Sequence, residues 1–130
     1  MCYLTTSEVM RINEVEIGQD LLADLGLLEA AVLRPQQTIF GSDAYPDIHT
    51  KAAAMLHSLI RNHPFIDGNK RTAVLSMIVF YNLNGHALEL EIDQGQLVAL
   101  AIDVAERQID VEAIAGILKG WIRPFRLPDD

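Results

Sequence analysis

Between Ala73 and Leu83 the chain carries nothing polar except Ser76 and Asn82. A helix of that composition has apolar groups on every side, so it needs neighbours nearly all round and belongs at the centre of a bundle. The run is only about half the twenty or so residues that span a bilayer, so a folded interior is its expected surrounding. The stretch that feeds into it is the opposite in character. His63-Pro64-Phe65-Ile66-Asp67-Gly68-Asn69-Lys70-Arg71-Thr72 holds a proton acceptor, a carboxylate, a glycine turn, a helix-capping residue and two cations. Reactive groups are thereby set on a rigid platform.

The rest of the chain reads as further helices with short connections. Thr5-Thr6-Ser7-Glu8 offers a capping box ahead of Val9, Ile12 and Val15, and Gly18 ends that first helix. A short apolar segment, Leu27 to Leu33, comes before Arg34-Pro35. Residues 35–46, rich in Gln, Gly, Ser, Asp and Pro, read as a loop or small hairpin, here termed the flap. Asp47 can cap a helix whose Ala52, Ala53, Met55, Leu56, Leu59 and Ile60 recur at helical spacing until Pro64 stops it. Asn69 is placed to cap the central helix, and Asn84-Gly85 to end it. Ala87 to Ile92 suggests one short strand, and Asp93 and Asp110 each suit the start of a further helix. The tail after Pro124 is expected to fray. The expected fold is all-α, a compact helical bundle forming one domain over residues 1–130.

Charge and cysteine content narrow the function. Ten Lys plus Arg against eighteen Asp plus Glu give a net charge of −8, which argues against binding that relies on neutralising many nucleic-acid phosphates. Cys2 is the only cysteine, and the first residues lack a basic segment followed by a long apolar one, so a cytoplasmic, reducing setting without membrane insertion is expected.

The chemistry lies in the motif loop. Exposed backbone N–H groups and the positive dipole end at a helix start attract anions, and a cation there is disfavoured by about 0.3 to 1 kcal/mol. Lys70 and Arg71 both fall in that first turn. A sequence that breaks a local rule in this way points to a functional site, and a bound polyphosphate would reverse the sign of the interaction. Gly68 lets backbone approach such an anion closely, and Asn69 can cap the helix or donate its amide. Asp67 is a hard oxygen ligand beside the phosphate position, enough for Mg²⁺, which takes one or two carboxylates and completes its shell with phosphates and water. His63, pushed toward extended backbone by Pro64, can project into the same cleft, and imidazole titrates near neutrality, as a general base should. Phe65 is expected to turn inward and pin the loop.

Each residue also has an ordinary reading: His63 a helix-end histidine, Asp67-Gly68 a turn, Asn69 a cap, Lys70 and Arg71 solvated surface. Taken singly those readings would prevail. Together they leave unexplained why all five groups crowd into one loop and why two cations oppose the dipole. Other constellations fail, since the G-x-x-x-x-G-K-[ST] spacing of a P-loop is absent and His49, His57, His63 and His86 lack paired metal-ligand spacing. His49 and His57 read as surface or helix-packing residues.

The stretch His63 to Thr72 closely resembles the signature of the Fic/Doc superfamily. Arg34-Pro35-Gln36-Gln37-Thr38, Tyr45-Pro46, Lys51-Ala52-Ala53 and Leu83-Asn84-Gly85 are similar to the flanking segments of its death-on-curing (Doc-type) branch. The likeness covers residues 4 to about 122. It implies an all-helical fold whose motif loop binds ATP with Mg²⁺ while the flap aligns a segment of a target protein. By that resemblance His63 is the base on the target hydroxyl and Asp67 the metal ligand. Gly68 and Asn69 form the anion nest, and Lys70 and Arg71 contact the phosphates. Lys70 stands where the adenylylating branch usually has glycine, and Val74 where it usually has a second arginine. The Doc-like lysine implies an inverted nucleotide and a protein Ser/Thr kinase, with elongation factor Tu as the suggested target class. The resemblance also implies one half of a toxin–antitoxin pair, restrained by a separate antitoxin protein, because no Ser/Thr-x-x-x-Glu-Gly/Asn inhibitory pattern occurs in the chain. An adenylyltransferase and a non-catalytic nucleotide-binding or partner-binding module remain the alternatives.

Overall fold

The computed structural model describes residues 1–19 and 21–125 and is built on six α-helices. Helix α1 (Thr6–Ile17) starts at a full capping box, Thr5 with Glu8, and stops at Gly18 in the left-handed region. Helix α2 (Leu25–Leu33), capped by Asp24, contains the apolar Leu27–Leu33 segment, and a 3₁₀ turn at Arg34–Gln36 follows it. The antiparallel hairpin β1 (Thr38–Ile39) and β2 (Ser42–Asp43) comes next. Its turn residues Phe40 and Gly41 both have positive φ, 51° and 80°, matching the primed turns that suit a two-residue hairpin.

Helix α3 (Ile48–Asn62), capped by Asp47, is the axis of the molecule, with α2, α4 and α6 packed around it. Its Ala52, Ala53, Ala54, Leu56 and Leu59 are buried among them. Small side chains on α3 let neighbours approach closely on several sides. Helix α4 (Asn69–Leu83) buries Thr72, Ala73, Ser76, Met77, Phe80 and Tyr81. Burial all round, expected from its composition, is not reached. Val74, Leu75 and Ile78 remain half-buried because the side they face is closed only partly, by α5 (Gln94–Ile102). Helix α5 continues through a π-helical turn at Asp103–Arg107, and α6 (Val111–Trp121) closes the bundle from its Asp110 cap.

Two local expectations need correction. The strand expected over Ala87 to Ile92 is β3 (His86–Leu88), and it has a partner the sequence did not announce, β4 (Ile122–Pro124), paired antiparallel. The pairing extends to Phe125, whose N–H donates to the Gly85 carbonyl at 3.0 Å. The fraying expected beyond Pro124 otherwise concerns residues 126–130, outside the described residues. At α4 the N-cap is Gly68, not Asn69, which is already the first helical residue.

Among the described residues no helix is long and apolar enough to cross a membrane.

Candidate active site

The motif loop spans the gap between the C-terminus of α3 and the N-terminus of α4, so both ends of it are fixed by buried helices. His63 is the C-cap of α3 and is exposed. Its backbone is left-handed, φ 53° and ψ 54°, rather than extended, because it has to end the helix before Pro64. A non-glycine residue in that region costs about 1–2 kcal/mol, and such residues cluster at functional sites. Phe65 is buried, 2% exposed, and pins the loop as expected, whereas Ile66 faces out at 67%.

Asn69 is 5% exposed and is spent inside the loop. Its Oδ1 accepts from the Phe65 N–H at 3.0 Å and its Nδ2 donates to the Phe65 carbonyl at 2.8 Å. It therefore does not cap α4, and one of its two Nδ2 hydrogens is committed within the loop. Its geometry makes it the clasp that closes the loop into a ring, while its own backbone N–H is left at the open start of α4.

That N–H is one of three that remain. The first residues of a helix have no intrahelical acceptor, and Gly68 as N-cap supplies no side-chain bond, so the amides of Asn69, Lys70 and Arg71 are uncapped. Gly68 has φ 78°, and a Cβ on it would lie 2.5 and 2.6 Å from Ile17 Cδ1 and Cγ1. Backbone angle and close approach both favour glycine at this turn. Lys70 and Arg71 are exposed at the mouth of a groove of about 330 Å³ that runs between α4 and α5 over Val74, Leu75, Ile78, Leu97 and Val98. Arg71 Nη1 lies 3.7 Å from Glu16 Oε1, and Lys70 has no ion pair among the described residues. His63 and Asp67 lie outside the groove, so the cations stand between an apolar channel and the reactive loop.

Asp67 is exposed, and its Oδ1 accepts from the Gly68 N–H at 2.8 Å. No hydrogen bond or ion pair among the described residues engages its other oxygen. This suits a magnesium ion shared between one carboxylate, phosphates and water. Among the described residues no cluster of three or more His, Cys, Asp or Glu could cage a metal without such a co-ligand.

Several contributors to the site escaped the sequence reading. Leu21 to Asp24 run along the motif loop: Leu22 bridges Phe65, the Ala23 and Asp24 N–H groups donate to the Pro64 carbonyl at 2.9 and 3.1 Å, and the Ile66 N–H donates to Leu21 at 2.8 Å. The 35–46 flap, by contrast, is tied along the side of α3, its hairpin to the first half of the helix and Arg34, just before it, to the second. Lys51 Nζ reaches the Pro35 carbonyl and Asp43 Oδ2, both at 3.3 Å, about three helical turns, roughly 18 Å, from His63 along the axis. Arg34 fastens the same base by donating to Tyr45 Oη at 2.8 Å, Ser58 Oγ at 2.8 Å and His57 Nδ1 at 2.9 Å. From α1 come Asn13, Glu16 and Ile17. A polar residue one turn beyond buried Val9 was the available signal for Asn13.

The motif loop thus gives this helical bundle an uncapped helix start that carries two cations and follows a histidine and a carboxylate in the chain. The chain belongs to the Fic/DOC family, whose model matches residues 3–81. It is 43% identical over 120 residues to "Toxin Doc" of Mycolicibacterium smegmatis, covering 92% of each chain. It is also 28% identical over 123 residues to "Protein kinase doc" of Escherichia phage P1, covering 92% of this chain and 94% of the relative.

Proposed function

We propose that this chain is a Doc-type toxin that transfers the terminal phosphoryl group of ATP to a serine or threonine hydroxyl of a target protein. The observation that carries this reading is the start of α4, where three backbone amides have no side-chain cap and the first turn carries Lys70 and Arg71. Transfer of this kind depends on positioning and on stabilising charge as it develops, and fixed amides with two cations provide both without reorganising. His63 accepts the proton of the acceptor hydroxyl. Lys70 and Arg71 hold the phosphates, and Asp67 holds magnesium, which when bound neutralises charge between phosphate groups. Lys70, in place of the glycine usual in the adenylylating branch, favours the inverted nucleotide and therefore phosphorylation. The phage relative named a protein kinase supports the same direction.

The relative named Toxin Doc supports a cellular setting in which a separate antitoxin restrains the chain. The groove between α4 and α5, apolar along its length and cationic at its mouth, suits an amphipathic helix from such a partner. Elongation factor Tu is the target class suggested by the family resemblance, and a cytoplasmic location goes with it.

The test is incubation of the purified chain with cell extract and ATP labelled at either the α or the γ position. Label from the γ position alone should reach protein, and His63→Ala should abolish it. Protein labelled from the α position would establish adenylylation instead. Saturable Mg²⁺-dependent ATP binding with no label from either position would leave a binding module.

A further inference from the structure

Helix α1 fully buries only two residues, Val9 and Asn13. Asn13 is 1% exposed, and a carboxamide taken that far from water is unfavourable unless its hydrogen bonds are made. A leucine at this position would bury more favourably. Asn13 Nδ2 donates to two acceptors, the Asp67 carbonyl at 3.1 Å and Thr72 Oγ1 at 3.0 Å. One acceptor lies immediately before Gly68 and the other follows Arg71, so a single side chain brackets the whole segment that carries the uncapped amides. Thr72 is itself 1% exposed, so the second bond is sheltered from water. Ile17 and Asn13 Nδ2 also fill the space beside Gly68 where a Cβ would stand.

We infer that Asn13 is a positioning residue for the anion nest, holding Asp67 and Thr72 at a fixed separation so that the Asn69, Lys70 and Arg71 amides converge on one phosphate group. The inference rests on the nucleotide reading above for its ligand, though not for its geometry. Asn13 does not touch the nucleotide. It acts by fixing the carbonyl of Asp67, the residue that offers the carboxylate to magnesium, and the first turn of α4. Without that tie the turn at Gly68 keeps its local bonds, to Asp67 Oδ1 and from the Thr72 N–H, but loses its side-chain hydrogen bonds from α1.

The test compares Asn13→Ala with Ile114→Val, a core change on α6, in the full chain. Amide hydrogen exchange at Phe65, Ile66 and Thr72, whose N–H groups are bonded to Asn69 Oδ1 and to the Leu21 and Gly68 carbonyls, is followed by NMR without nucleotide, and MgATP affinity by calorimetry. Asn13→Ala should speed exchange at these amides about tenfold relative to amides in α3 and weaken MgATP about tenfold, the loss expected for a hydrogen bond to a sheltered group. Ile114→Val should change neither ratio. Equal behaviour of the two variants would overturn the proposal and make Asn13 a packing residue. If the wild-type chain takes up no MgATP, the nucleotide reading fails, and the exchange comparison still decides whether Asn13 holds the loop. Should Asn13→Ala not fold, Asn13→Ser, which leaves a small polar group in the site but cannot span both acceptors, is put through the same comparison.

Discussion

Gly68→Ala isolates how tightly α1 is pressed against the motif loop. Two penalties arise from one methyl group. The first is conformational, because alanine at φ 78° meets the left-handed cost of about 1–2 kcal/mol. The second is steric, because the new carbon would lie 2.5 Å from Ile17 Cδ1 and 2.6 Å from Cγ1, against an optimum of roughly 3.5–4.0 Å. Overpacking of that kind costs about 1–3 kcal/mol. Ile17 sits in the last turn of α1 and is half-buried, so rotation relieves part of it and the lower half of that range is expected. The total, about 2–4 kcal/mol, is a large share of the roughly 5–15 kcal/mol that holds a domain folded, yet leaves it measurable by urea denaturation. Ile17→Ala removes both offending atoms. In that background Gly68→Ala should cost little beyond its conformational part, Asn13 Nδ2 at 3.3 Å being the remaining close neighbour, so the double-mutant cycle should return a coupling of about 1–2 kcal/mol. A coupling below about 0.3 kcal/mol, within the scatter of additive pairs, would show that the loop and α1 are not in the contact described and would refute the close-approach argument.

Lys51→Met should free the base of the β1–β2 hairpin, because a 3%-exposed ammonium is lost from Asp43 and the Pro35 carbonyl. Asp43 is half exposed and can rehydrate, so the stability loss should stay near ~1–2 kcal/mol while proteolytic cleavage within 38–43 accelerates, and unchanged cleavage would contradict the anchoring role. Acid should destabilise the fold through His57, whose Nδ1 must be unprotonated to accept from Arg34 and whose pKa is pushed below its ordinary 6.5 by burial and by Arg34 and Arg61. The unfolded chain then binds that proton more readily. Stability is therefore intact above 6.5 and declines as pH falls through it, with His49, lowered chiefly by burial, acting in the same direction. A urea midpoint that rises on acidification from neutral would reverse this sign, and His57→Gln should flatten the slope. Lys70→Gln should stabilise the nucleotide-free chain by at most ~1 kcal/mol while weakening MgATP, so a variant that loses stability and keeps affinity would remove the electrostatic conflict from the site.

The parts of this fold that could be read from the sequence are those decided within a few residues. Thr5, Asp47, Asp93 and Asp110 cap their helices as expected because a cap is a bond from a side chain to a backbone group two or three positions on. The position of the motif loop was legible for the same reason, Pro64 and Gly68 being local punctuation. What could not be read is what depends on distant partners. The β3–β4 pairing joins residues near 87 and 123, and neither strand alternates strongly enough to announce the other. Asn13 finds its acceptors 54 and 59 residues away, so periodicity could give its face but not its purpose. Asn69 shows a subtler limit. Asparagine satisfies a helix start and a loop clasp equally well, and only the position of Phe65 decides between them.

Helix starts elsewhere in this chain set the start of α4 apart. Among the described residues, α1 is closed by Thr5, and α2, α3, α5 and α6 are each closed by an aspartate. A carboxylate at that position serves the orphan amides and the dipole together. At α4 the aspartate is displaced one residue upstream. Asp67 then bonds the Gly68 N–H and leaves the next three amides untouched. Arg71 is eased by Glu16 at 3.7 Å, but that pair is solvated, with side chains 63% and 34% exposed, and is worth no more than ~1 kcal/mol. Lys70 is not eased at all. A permanent cap at Gly68 would satisfy the amides and close the position to any other anion. Moving the carboxylate back by one residue keeps that position open and, under the function proposed above, leaves the carboxylate for the metal that accompanies a triphosphate. On that proposal the uncapped start of α4 and the chemistry of the loop have a single origin, a helix whose cap is the substrate.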